Sequence, residues 1–197
     1  MVEQEPKVAN FLATLKQNVK IDDVKTLSAQ YKPNGELLFA TLQIDSPDIL
    51  PYVFIRGDAV VVVVTVNDKY YLCVEQRRIA DGKIHTEFPA GMMDKDNDPL
   101  EVVIKELEEE TGLVIDKNAV KPMNGAIPLF TSPGACDERI YFFKTSIRMN
   151  DEDFQKFQNK FIDNGDEKIT VKLYTEDELR KKLVNCITYC ALHLSRS

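Results

Sequence analysis

Three glutamates, Glu106, Glu109 and Glu110, stand at i, i+3 and i+4 in the stretch GMMDKDNDPLEVVIKELEEETGL, residues 91–113. On a helix turning about 100° per residue they share one stripe. Leu100, Val103, Ile104 and Leu107 take the adjacent stripe at i, i+3, i+4 and i+7, the pattern of a core-facing side. The acids therefore border the buried face. Like charges so placed raise one another's pKa unless something positive sits between them. Hard divalent cations with oxygen ligands, Mg²⁺ or Mn²⁺, are the natural candidates. An ordinary solvated acidic face is the plainer alternative.

The flanks define the element that carries these acids. Asp98 is placed as an N-cap and Pro99 fits the first turn, where its missing N–H costs nothing. Gly112 is placed for a left-handed C-terminal cap. The expectation is a loop–helix–loop with its acids at fixed phase.

Arg78 is the leading phosphate-binding candidate, because a guanidinium matches phosphate oxygens at two points. Its neighbour Arg77 would point to the opposite face of a strand. Glu138 and Arg139 follow the Ser132-Pro133-Gly134 turn and could frame a substrate, or form a surface ion pair. A general base could be Glu109, Glu110, or an acid of the late loop Asn164-Gly165-Asp166-Glu167. His85 in the loop before the acidic segment reads as a solvated residue, and Cys136 carries no sign of activation.

The segment resembles the Nudix box, G-x5-E-x7-R-E-U-x-E-E-x-G-U, with Gly91, Glu106, Leu107, Glu109, Glu110, Gly112 and Leu113 at matching positions. Asn97 stands where the family has its first Glu, and Lys105 where it has Arg. Lys is a point charge rather than a planar fork, so the loop is expected to be less rigidly braced. Glu75-Gln76-Arg77-Arg78, Glu87-Phe88-Pro89-Ala90-Gly91-Met92, Ser132-Pro133-Gly134 and Glu138-Arg139-Ile140 narrow the resemblance to nucleoside-diphosphate-sugar pyrophosphatases.

That resemblance implies an α/β fold, a Nudix-type α/β/α sandwich around a mixed β-sheet, with an N-terminal strand subdomain. It implies metal-dependent hydrolysis of ADP-ribose or another ADP-sugar to NMP and sugar phosphate. UDP-sugars or dinucleoside polyphosphates are the enzymatic alternatives, and a catalytically weakened nucleotide-binding module is another. It further implies the Ala90 carbonyl as a metal ligand beside Glu106, Glu109 and Glu110, Glu167 as the preferred late-loop base, and a homodimer built through residues 1–50. Residues 51–197 would form the hydrolase domain.

Composition is compatible with this. The chain has 197 residues, 44% hydrophobic and 29% charged, as expected of one well-cored globular domain. A net charge of −7 argues against a general nucleic-acid binder. Cys73, Cys136, Cys186 and Cys190 form no C-x-x-C pair, and without a recognisable signal peptide the expected compartment is the cytoplasm. The apolar run from Ala59 to Val66 is too short to span a membrane.

Along the chain, residues 8–18 suggest a helix. Strands are expected at Val24–Tyr31 and Glu36–Ile44 around a Pro33-Asn34-Gly35 turn, then at Asp58–Val66 and Tyr70–Gln76. Val120–Leu129 and Arg139–Ser146 look extended, Asp151–Phe161 helical and Ile169–Tyr174 extended. Thr175–Leu194 reads as one closing helix with Thr175 as its N-cap.

Overall fold

The computed structural model describes residues 2–93, 98–163, 165 and 167–196. Asn97, Asn164 and Asp166 lie outside the described residues. The helices are α1 (Pro6–Lys16), α2 (Pro99–Thr111), α3 (Asp151–Phe157), α4 (Glu176–Arg180) and α5 (Cys186–Leu194). The strands are β1 (Asp23–Tyr31), β2 (Leu37–Asp45), β3 (Tyr52–Ile55), β4 (Ala59–Val66), β5 (Tyr70–Arg77) and β6 (Ile84–Glu87). They continue with β7 (Ala90–Met92), β8 (Lys121–Pro122), β9 (Leu129–Phe130), β10 (Arg139–Ile147), β11 (Phe161–Asp163) and β12 (Lys168–Thr175). The chain divides into two compact units: Met1–Ala59 with Met93–Asp96 and Leu129–Ile140, and Val60–Met92 with Asn97–Pro128 and Tyr141–Ser197.

In the first unit β1, β2 and β3 form an antiparallel sheet. The β1–β2 turn is closed by Gly35, whose φ of 87° suits a residue without a Cβ and whose N–H reaches the Lys32 carbonyl at 2.9 Å. Val8 and Leu12 of α1 pack with Leu37, Ala40, Leu42, Ile44 and Ile55 in a local core. Burying those side chains against the hairpin holds a helix too short to persist alone. The sheet runs past residue 50, because β3 pairs Ala40 with Ile55 and Gln43 with Tyr52.

In the second unit the strand order is β11-β12-β5-β4-β10-β8, with β6 on β5 and β7 on β4. Every residue of β4 except Thr65 is buried, as an apolar run covered on both faces requires. Asn67 and Asp68, with φ of 53° and 54°, turn β4 into β5. This is a mixed α/β body around a mixed sheet, as expected for the fold class. Among the described residues no helix is long and apolar enough to cross a membrane.

Three expected elements are corrected. The segment Val120–Leu129 is broken between β8 and β9, because Asn124, Gly125 and Ala126 all adopt positive φ. The helix expected over Asp151–Phe161 ends at Phe157; Asn159 takes a φ of 68°, and β11 pairs with β12. The closing helix splits into α4 and α5.

Candidate active site

Helix α2 starts and stops where its side chains dictate. Asp98 Oδ1 accepts the Leu100 N–H at 3.0 Å, Pro99 occupies the first turn, and Gly112, at φ 73°, sends its N–H to the Glu108 carbonyl at 2.8 Å. Lys160 Nζ donates to the Thr111 carbonyl at 3.0 Å, a cation at the negative end of the helix. Val102, Val103, Leu107, Glu110 and Thr111 are buried, whereas Leu100 and Ile104 are only half-buried. The buried arc is thus turned toward the acidic stripe, and Glu110 falls inside it.

Glu110 is 2% exposed, and its Oε2 accepts the Ala90 N–H at 3.0 Å. Burial pushes its carboxyl well above the usual carboxylate range. Glu106 and Glu167 push the same way, while the Ala90 N–H and the Arg78 guanidinium oppose them. At Gly91 a Cβ would fall 2.1 Å from Glu106 Cδ, so only glycine lets the β7 backbone lie against that carboxylate. Ala90, Glu106, Glu110, Glu167 and Arg78 are therefore brought into one electrostatic neighbourhood.

Glu109 is placed differently. Its side chain is 49% exposed and pairs with Lys105 Nζ at 3.3 Å. Among the described residues, no three His, Cys, Asp or Glu side chains already stand as a closed metal cluster.

Arg78 has a partner to which the sequence reading assigned no role. Its Nε and Nη2 fork onto Glu87 at 3.0 and 2.6 Å, and Glu87 is 5% exposed. Burial works against the Glu87 charge, but the guanidinium outweighs it and holds this carboxyl below the usual range. Burial likewise disfavours the Arg78 charge, yet Glu87, with Glu167 and Glu110 farther off, raises its pKa on balance. His85 Nε2 lies 3.0 Å from Asp81 and its Nδ1 3.8 Å from Glu87. Glu75 accepts from Thr86 and, at 2.6 Å, from the Tyr174 hydroxyl. Arg77 is exposed and donates to the Gly82 carbonyl. The signal for Glu87 was an Asp81-Gly82 turn after the strand that carries Arg77, a hairpin of β5 and β6 that returns an acid beside the arginine.

Glu138 and Arg139 belong to the first unit, where each has a partner. Arg56 Nε meets Glu138 at 2.7 Å, and Arg139 forks onto Asp58 at 2.9 and 2.7 Å. Asp137 Oδ1 caps the Arg56 and Gly57 N–H groups at 2.7 and 3.1 Å. A cavity of about 930 Å³ in this unit is lined by Phe11, Tyr52, Asp58, Cys136, Asp137 and Arg139, among others.

The NUDIX domain family matches residues 55–188, more than half of the chain. The chain belongs to the NUDIX family. It is 34% identical over 143 residues to Nudix hydrolase 14, chloroplastic, of Arabidopsis thaliana, covering 66% of this chain and 46% of that one. It is 32% identical over 85 residues to the ADP-ribose pyrophosphatase of Bacillus subtilis (strain 168), covering 43% of each. This NUDIX chain spans less than half the length of either relative in those matches. A crystal structure of an ADP compounds hydrolase shares the fold at 13% identity with a TM-score of 0.58, covering 90% of this chain and 94% of that one. Nudix enzymes in general use divalent metal ions.

Proposed function

We propose that this Nudix protein hydrolyses the diphosphate bond of a nucleoside diphosphate sugar, ADP-ribose or another ADP-sugar, giving NMP and sugar phosphate. The observation that carries the proposal is Glu110, a fully buried carboxylate set against Glu106 and Glu167 with a forked arginine nearby. Such an arrangement is costly without a cation and suited to one, since all its donors are hard oxygens. Glu106, Glu110, the Ala90 carbonyl and, by rotation away from Lys105, Glu109 are the proposed ligands for Mg²⁺ or Mn²⁺. Bound there, the cation supplies charge neutralisation at the diphosphate and a lowered pKa for water.

The chain's own groups do the rest. Arg78, preorganised by Glu87, orients the diphosphate oxygens. Glu167, or a carboxylate of the Glu109–Glu110 pair, accepts the proton of the attacking water. The reaction needs alignment and charge balance more than covalent help, which is what these residues offer.

Among the described residues β1 pairs only with β2, and its outer edge suits a homodimer, measurable by sedimentation; four free cysteines suit a reducing cytoplasm. The test of function is a screen of ADP-ribose, ADP-glucose, UDP-glucose, NADH and diadenosine polyphosphates with Mg²⁺, both products being identified. A second reading rests on the Lys105–Glu109 pair: a nucleotide-binding module of weakened activity. It predicts nucleotide binding with no NMP released.

A further inference from the structure

Gln76 is 6% exposed, yet among the described residues no protein group pairs with its carboxamide. Its polar neighbours are engaged with one another. Arg78 forks onto Glu87 at 3.0 and 2.6 Å, His85 lies 3.0 Å from Asp81, and Glu75 accepts from Thr86 and Tyr174. No sealed side-chain nitrogen or oxygen among the described residues lacks a partner. The Gln76 amide must therefore reach solvent through the narrow opening that its burial leaves.

Strand register shows which side that opening is on. Gln76 of β5 stands opposite His85 of β6, and Val74 opposite Glu87. Directly opposed residues of an antiparallel pair share a face, and so do alternate residues along one strand. Gln76, His85 and Glu87 thus lie on one face, and the fork from Arg78 to Glu87 places the guanidinium there too. Arg78 follows two residues after Gln76, about 7 Å along an extended chain. On the other flank β12 pairs Thr170 with Glu75 and leads back to Glu167.

A primary amide has two donors and an acceptor, and burying them unpaired costs stability that an apolar side chain of equal length would not. That cost is offset when something outside the chain takes the hydrogen bond. We propose that Gln76 is a substrate-contacting residue: its amide NH₂ donates to an oxygen of the nucleotide diphosphate held by Arg78. An anion uses only the donors of the amide, and the guanidinium on the same face selects an anion. The proposal rests on the reading of Arg78 as the phosphate-binding arm. It makes the contact independent of base and sugar.

The test uses Gln76→Met, which keeps the length of the side chain, with Gln76→Leu as a second variant. Calorimetric titration of ADP and of UDP with Mg²⁺ should show affinity about tenfold weaker in both variants, by the same factor for the two nucleotides. The ligand-free melting temperature should be unchanged or higher, since no hydrogen bond within the protein is lost. KM for ADP-ribose should rise about tenfold with kcat changed less than twofold. Wild-type affinity for both nucleotides in the variants, or wild-type protein that binds neither, overturns the inference. So does a fall of more than about 5 °C in the ligand-free melt of both variants, which marks an amide that holds the fold instead. A loss confined to one base overturns the assignment to the diphosphate. If no nucleotide sugar is hydrolysed while ADP and UDP weaken together, the hydrolase reading fails and the Gln76 contact stands.

Discussion

At the scale of single residues, the site is governed by unequal environments for chemically identical carboxylates. Glu110 is buried among like charges, and Glu109 lies in water beside Lys105. Glu110→Gln should therefore lower turnover by about 10²-fold or more. In metal-free protein at neutral pH it should also raise the melting temperature by about 2–4 °C, because an acid that burial and like charges disfavour in its ionised form is replaced by a neutral amide. Steady-state kinetics and a thermal melt in EDTA check the two halves. Glu87 behaves in the opposite sense. Its carboxyl is depressed below the ordinary 4.5, so its ion pair contributes fully above that pH. The contribution is lost as pH falls through the folded value. Denaturant titrations from pH 6 downward should show the wild type losing stability below pH 4.5 more steeply than Glu87→Gln does.

At the scale of elements, two glycines mark the ends of the unit that carries the acids, and they should fail differently. Gly112→Ala places a Cβ on a left-handed residue, 2.2 Å from Lys160 Nζ, the movable end of a flexible side chain. A loss of about 1–2 kcal/mol in a urea titration is expected, mostly from the backbone. Gly91→Ala is a steric matter instead. The new Cβ meets Glu106 Cδ, Oε1 and Cγ all within 2.3 Å, so β7 and α2 must part or Glu106 must leave. Turnover should fall about as far as in Glu106→Gln, even at temperatures where the variant remains folded by circular dichroism.

At the scale of the molecule, the net charge of −7 includes a local acidic group in the second unit, where half-buried Glu106 and Glu167 repel the buried Glu110. Ligands that bind only the folded chain raise its melting point by mass action. Titrating Mg²⁺ or Mn²⁺ into the apo-protein should give a saturable rise in melting temperature, largely abolished in Glu106→Gln/Glu110→Gln. A flat response to both ions would remove the cation from the proposal.

What sequence alone determined were the features set by short-range chemistry. Asp98, Pro99 and Gly112 bound α2 through hydrogen bonds within a few residues of themselves. Gly35 closes the first hairpin, and a valine run with no polar face had to lie inside a sheet. Tertiary structure decided the rest. The short strands β3, β6, β7 and β11 exist because longer neighbours offer them a hydrogen-bonded edge, not because four or fewer residues prefer to be extended. The split of the closing helix, the choice of Glu110 over Glu109 for burial, and the fork of Glu87 on Arg78 depend on residues brought together across the fold. Phase along a helix can place three carboxylates on one side; only the packing of that helix against β7 determines which of them is sealed from water.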